Sequence, residues 1–229
     1  MKKFTADFET VTWLKNETYV WAWAICEIGN EENIEFGNSI ETFIEFCQKN
    51  NKSKIYFHNL KFDGEFIIYY LLKNGFTHIE SKKEIAKKTF STLISDLGMF
   101  YQITVYFNKS LKITFLDSLK IIPFSVEEIA KSFNLEISKL TLDYNKVRKK
   151  GHILTIEEKE YIKNDVLIVA KALNVLFKEN LTKMTQGSNA LNDFKEILTK
   201  SKFIHYFPTL DYDIDKDLRK AYKRTALLI

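Results

Sequence analysis

Short apolar and aromatic runs punctuate the chain at strand length. Residues 3–9 and 19–28 read as strands, the second rich in aromatic side chains, and 33–36 makes a short third after the turn Gly29-Asn30. Ile40, Phe43, Ile44 and Cys47 then recur at helical spacing. Asn38 is placed to cap that helix, with Glu41 as a capping-box partner. A buried strand follows at 54–58. Asp63-Gly64 is expected to open a helix over 65–74 that closes at Gly75. Three more strands are expected at 89–95, 100–107 and 111–117. Pro123 breaks the chain before a short helix at 125–133. Thr155 and Glu158 form a capping box for a long helix, 156–179. After about residue 185 regularity falls, with a turn near Gly187, a helix over 190–201 and an extended piece around Pro208.

The order is three strands, a helix, a strand, a helix, further strands and a long helix. The first three strands suit an antiparallel meander, and the fourth can return beside the first through a helical crossover. Periodicity alone gives an α/β or α+β class. The more specific expectation is an α/β, RNase H-like mixed β-sheet flanked by helices, with a mostly helical C-terminal extension. Residues 1–180 would form the domain and 181–229 the linker-like extension.

Composition narrows the classes. At 45% hydrophobic and 14% aromatic residues the chain can build a core, which excludes a disordered tail. The longest apolar runs, 20–26 and 66–72, fall far short of the roughly 20 residues that span a bilayer. No signal-peptide pattern opens the chain, and Cys26 and Cys47 both sit in apolar runs, so a reducing, cytoplasmic setting without disulfides is expected. The net charge is +4, and arginine occurs only at 148, 219 and 224. The remaining cations are lysines, which suit sequence-independent phosphate contact; a solvated lysine surface accounts for them equally.

Candidate chemistry lies in three places. In Ala6-Asp7-Phe8-Glu9-Thr10 two carboxylates lie two apart on a strand and so share a face. They repel unless a positive charge separates them, and Mg²⁺ prefers such oxygens; two solvated acids at a strand end are the alternative. In Tyr56-Phe57-His58-Asn59-Leu60-Lys61-Phe62-Asp63, Asp63 either joins them or merely caps a helix. His58, Asn59, Phe62 and Phe66 make a polar–aromatic group suited to a splayed nucleotide. In Tyr161-Ile162-Lys163-Asn164-Asp165, the first and last residues share a helix face that is otherwise apolar, so Asp165 needs a metal or a cation.

Together these segments resemble the DEDD superfamily of 3′–5′ exonucleases, in the branch with a tyrosine in its third motif. The likeness is closest to the exonuclease domain of protein-primed family B DNA polymerases of small tailed bacteriophages and linear plasmids. Tyr56 to Gly64 is similar to that group's second motif and Tyr161 to Asp165 to its third. Asp117-Ser-Leu-Lys120, Phe124, Lys139, Asp143-Tyr144, Met184-Thr-Gln-Gly-Ser188 and Phe207-Pro-Thr-Leu210 add to the likeness, which covers about residues 1–223.

The resemblance implies a two-metal exonuclease on single-stranded DNA, using Mg²⁺ or Mn²⁺. Asp7, Glu9, Asp63 and Asp165 would ligate metal, Tyr161 would orient the attacking water, and Lys139 would assist at the phosphate. Thr10, Tyr56, His58, Asn59, Phe62, Phe66, Ser118, Leu119, Phe124 and Tyr144 would hold the DNA 3′ end or a priming terminal protein. In the family, a tyrosine at the position of Tyr222 begins a glycine-containing link to the polymerase body. Here Tyr222 is followed by Lys-Arg-Thr-Ala-Leu-Leu-Ile229, so polymerase activity is not expected of this chain alone. A DNA- or terminal-protein-binding accessory is the alternative function, and an RNA-directed nuclease a weaker one. A separate polymerase chain is a candidate partner, and the apolar stripe within 181–229 is a candidate self-association surface.

Overall fold

Backbone alternation along the first strand sets the architecture. In β1 (Lys3–Leu14), Phe4, Ala6 and Phe8 enter one buried apolar cluster while Val11 enters another. The strand is therefore covered on both faces. The structure is a computed structural model that describes residues 1–14, 17–144, 146–209, 211, 213, 214 and 216–218, with the side chains of 12–14 left aside. Tyr222 to Ile229, and Leu210 of the Phe207 motif, lie outside the described residues.

β1 pairs antiparallel with β2 (Glu17–Glu27), and β2 with β3 (Asn30–Gly37). The chain crosses through α1 (Ile40–Lys49) and returns as β4 (Lys54–Phe57), parallel to β1. After α2 (Leu60–Lys73) come β5 (Thr77–His78), β6 (Thr89–Ile94), β7 (Phe100–Tyr106) and β8 (Lys112–Asp117). They complete an eight-stranded mixed sheet in the order β3-β2-β1-β4-β8-β7-β6-β5. This is the meander and crossover expected of an RNase H-like sheet; only the two-residue β5 had no signal in the sequence.

Two layers of helix cover the sheet. Phe43 and Cys47 of α1, with Leu60, Ile67 and Leu71 of α2, join Phe57 and Phe115 in the core of one face. The other face is covered by α3 (Val126–Ser132) and α4 (Ile156–Lys178). There Ala22 and Ala24 of β2 meet Ala170 of α4, small side chains that let the long helix lie close to the sheet. The Thr5 hydroxyl donates to the Val166 carbonyl at 2.8 Å and ties α4 to β1.

Four local expectations shift. The cap of α1 is Ser39, not Asn38: Ser39 is extended and accepts from the Thr42 amide, while Asn38 Nδ2 donates to the His152 carbonyl. α2 begins at Leu60 rather than after Gly64. Gly64 is there for packing, since a Cβ would stand 2.9 Å from Ile103 Cδ1 on β7. Gly187 lies inside α5 (Gln186–Leu198), in the first turn, where amide groups need no partner within the helix. The helix expected over 190–201 is divided at Thr199, whose φ is +66°, into α5 and α6 (Lys200–Tyr206).

The chain divides into two compact units, Met1–Gln186 and Gly187–Ile229. In the second, Phe194, Phe203 and Phe207 form an aromatic cluster with ring centroids 5.1–6.2 Å apart. No helix among the described residues is long and apolar enough to cross a membrane.

Candidate active site

The site forms where β1 loses its parallel neighbour. β4 pairs with β1 only as far as Ala6↔Phe57, and β1 continues with β2 alone, its register broken by a bulge between Glu9 and Thr10. Into the space that β4 vacates, Asn59 turns the chain in the left-handed region (φ +83°) and α2 begins. Asp63 therefore sits in the first turn of α2, a favourable place for a carboxylate, but it is buried there and does not cap the helix. From the other face α4 brings Tyr161 and Asp165.

These elements enclose a pocket of about 390 Å³. Asp7, Glu9, Thr10, His58, Asn59, Phe62, Asp63, Lys139, Tyr144, Tyr161 and Asp165 all line it, as do Trp21, Lys146 and Arg148. Five expected residues stand outside the lining. Phe66 packs on Phe62 with ring centroids 5.6 Å apart. Ser118 is fully buried behind His58, and the Leu119 amide donates to Asp117 Oδ1. Phe124 has an exposed ring, and its carbonyl accepts a 2.7 Å bond from His58 Nε2. Tyr56 is 3% exposed: strand alternation sends it under α4, where its ring meets Phe177.

The electrostatics are unusual for a set of buried acids. Burial, then the Asp165 charge, pushes Asp7 up to about 7. Burial, then Asp7 and Asp165, pushes Glu9 up to about 9. Asp63 is held well above the carboxylate range, again by burial and then by Asp7. Burial also raises Asp165, against the pull of Lys139, whose Nζ stands 3.4 Å from Asp165 Oδ2. Asp63 Oδ1 and Asp165 Oδ1 are buried and accept no hydrogen bond. Buried polar atoms are nearly always satisfied, so two orphaned carboxylate oxygens in one pocket call for a ligand.

The donor set fits a hard divalent cation: only carboxylate oxygens are offered, with no thiol among them. All four acids line the one pocket, although as placed no group of three or more His, Cys, Asp and Glu among the described residues forms a closed metal site.

Around the acids the polar groups are fixed. The Tyr144 and Tyr161 hydroxyls are 2.6 Å apart, and either can donate. Burial lowers the pKa of His58, which favours the neutral ring. Nε2 donates to the Phe124 carbonyl, and Nδ1 lies 3.0 Å from the Ser118 hydroxyl, which itself donates to the Phe57 carbonyl. Asp117 Oδ1 accepts from the Asn59 and Leu119 amides and so supports the left-handed turn.

Sequence reasoning missed Arg148, Lys146, His152 and Trp21. Arg148 lies over the Trp21 ring at 4.5 Å and bonds Glu158 Oε1 at 2.7 Å. His152 Nε2 is 2.7 Å from Glu158 Oε2, and Lys146 lies 3.6 Å from Oε1. One signal was available: Arg148 is the only arginine before residue 219 in a chain otherwise served by lysine.

An RNase H-like mixed sheet thus carries the paired acids of β1 into an aromatic-lined pocket. The comparisons place the chain within a family. The model of DNA polymerase type B, organellar and viral, matches residues 44–155 and 141–223. The chain belongs to that family.

The DNA polymerase of Bacillus phage Nf is 43% identical over 226 residues, which is 97% of this chain and 39% of that protein. That of Bacillus phage phi29 is 40% identical over the same share of this chain and 38% of its own length. The DNA polymerase of Streptococcus phage Cp-1 is 33% identical over 233 residues, 95% of this chain and 38% of that protein. Phi29 DNA polymerase complexed with single-stranded DNA superposes with a TM-score of 0.87 at 39% identity, covering 95% of this chain and 39% of that one. Its ternary complex with primer-template DNA and incoming nucleotide gives 0.85 at 40% identity, covering 95% and 38%. The chain thus spans about two fifths of the length of these relatives and is homologous to one region of a phi29-type DNA polymerase.

Proposed function

We propose that the chain is a metal-dependent 3′–5′ exonuclease on single-stranded DNA that releases nucleoside 5′-monophosphates. One observation carries this reading: Asp7, Glu9, Asp63 and Asp165 line one pocket in which two buried carboxylate oxygens lack any partner. A structural role for four mutually repelling acids would leave that repulsion uncompensated. The relation to phage DNA polymerases, one solved with single-stranded DNA, supports DNA as the substrate.

Asp7, Glu9, Asp63 and Asp165 would hold Mg²⁺ or Mn²⁺, two ions in the full site. Bound there, the ions supply a water nucleophile at neutral pH and stabilise charge on the leaving 3′ oxygen. The chain's own groups do the rest. Tyr161, held by Tyr144, offers its hydroxyl to orient water beside the scissile phosphate. Lys139 brings a positive charge to the phosphate side of Asp165. Phe62, 44% exposed at the pocket mouth and backed by Phe66, offers a face on which any terminal base stacks. His58, Asn59 and Thr10 line the same pocket.

The test is an assay of the purified chain on 3′-labelled single-stranded DNA with Mn²⁺, Mg²⁺ or EDTA. Nucleoside monophosphate release with metal and none with EDTA is expected. DNA binding without cleavage under either metal would replace this function with that of an accessory binding module.

A further inference from the structure

From Asn134 to Thr155 the described residues form neither helix nor strand. So long an irregular connection inside a compact domain is uncommon, and it is generally functional or disordered. This one delivers two of the pocket's working groups, Lys139 and Tyr144. Ile137, Leu142 and Leu154 pack against the buried cluster under α4 and set its course. They do not fix the heads of Lys139 and Tyr144, which are 40% and 58% exposed. Long, exposed side chains need their backbone held if they are to meet a target reproducibly.

Polar contacts from α4 hold that backbone on either side of the two residues. Asn164 Nδ2 donates to the carbonyl of Ser138, directly before Lys139, at 3.0 Å. Beyond Tyr144, Glu158 takes the Arg148 side chain at 2.7 Å. Arg148 in turn folds the loop onto itself, since its Nη1 donates to the carbonyls of Asp143 and Lys146. The Tyr19 hydroxyl donates to the Arg148 carbonyl at 2.8 Å and adds a tie to β2. Asn164 is the neighbour of Asp165, and Glu158 precedes Tyr161 by about one turn. Each tie therefore sits beside the contact it would govern: Lys139 with Asp165 at 3.4 Å, and Tyr144 with Tyr161 at 2.6 Å.

We propose that α4 clamps this loop at two points, and that Asn164 and the Arg148–Glu158 pair are positioning residues, the first for Lys139 and the second for Tyr144. Neither touches the reacting atoms; they act through the side chains they hold. The proposal rests on the exonuclease reading for its kinetic readout only.

The test uses Asn164→Ala and Arg148→Lys in the full chain, alone and combined with Lys139→Ala and Tyr144→Phe respectively. Asn164→Ala is expected to lower kcat on single-stranded DNA about tenfold with KM little changed, the scale that a small misplacement of a working group produces. In the Lys139→Ala background the same substitution is expected to change kcat by less than about twofold, because its effect runs through that lysine. Arg148→Lys is expected to behave likewise with Tyr144. Hydrogen exchange is read in parallel and needs no activity: amides near Lys139 should exchange faster in Asn164→Ala, and those near Tyr144 faster in Arg148→Lys. A full kcat loss from Asn164→Ala on top of Lys139→Ala would overturn the positioning role. Unchanged exchange in both variants would overturn the clamp. If the wild-type chain cleaves no DNA, the exonuclease reading fails, while the exchange data still decide the clamp.

Discussion

Glu158 and Asp165 are buried acids on the same helix, two turns apart, and they live in opposite chemical worlds. Glu158 receives Arg148, His152, the Thr155 amide and the more distant Lys146. Burial works against its charge, but the Thr155 amide, Arg148 and His152 outweigh it and hold the carboxyl down to about 2. Asp165 has Lys139 at one oxygen and nothing at the other, and burial leaves it raised. The difference separates structure from function. An acid whose partners all come from its own chain is complete and stabilises the fold. An acid left short of a partner, as Asp63 also is in the same pocket, calls for a ligand from outside the chain.

The largest expected effects break that comparison at its functional end. Asp7→Ala or Asp165→Ala should abolish cleavage, by about 1,000-fold or more, because charge stabilisation worth several kcal/mol is lost. Thermal stability of the metal-free protein should stay level or rise, since a buried, repelled acid is gone. Binding of single-stranded DNA should hold or improve. Melting curves and gel-shift titrations beside the nuclease assay check all three.

At the structural end the signs reverse. Glu158→Gln should cost about 3 kcal/mol or more of stability in a denaturant titration, because it strips a buried Arg148 of its counter-charge. Any loss of cleavage should be modest next to that of Asp165→Ala. Equal stability losses at the two positions would erase the distinction.

The pH dependence sharpens the contrast. The folded pKa of Asp7 and of Glu9 is raised, so the native state holds protons that the unfolded chain releases. Stability of the metal-free protein should therefore fall as pH rises from about 4 through about 7 for Asp7 and about 9 for Glu9. Glu158 works the other way. Its contribution is present above an unfolded value of 4.5 and is lost as pH falls toward about 2. Melting scans in EDTA between pH 4 and pH 9 should show the decline, and Mn²⁺ should reverse it more at the alkaline end. A flat profile in EDTA would contradict the assigned shifts.

Smaller effects are expected of the groups proposed to handle DNA. Phe62→Ala should weaken single-strand binding by roughly 1–3 kcal/mol, the usual worth of one stacking contact. Tyr161→Phe should slow cleavage less than loss of any acid does, since the role proposed for its hydroxyl is only to orient water. Fluorescence anisotropy and kcat measurements check these.

Much of this contrast was legible in the sequence, though unequally. Asp7 and Glu9 announce themselves because strand alternation puts two acids on one face of an apolar strand. Tyr161 and Asp165 do so through helical spacing. Asp63 was visible but misplaced: Asp63-Gly64 was expected to open the helix, whereas α2 begins at Leu60 and Gly64 keeps a Cβ off Ile103 Cδ1. The partners of Glu158 were not legible. Its capping box with Thr155 explained the residue fully from local sequence and hid its role toward Arg148 and His152. Tyr56 erred in the other direction, since its place in a motif outweighed the alternation that buries it. Contacts within one turn or one strand can be read from spacing; contacts made by an irregular loop folding back on a helix cannot.

The central claim is that the unsatisfied acids are built for metal, and Mn²⁺ binding measured by loss of the free-ion paramagnetic resonance signal tests it most directly. The wild-type chain should take up Mn²⁺, Asp63→Asn and Asp165→Asn should each lose most of that uptake, and Glu158→Gln, wherever it remains folded, should keep it. No uptake by the wild-type chain, or undiminished uptake by both aspartate variants, would contradict the account.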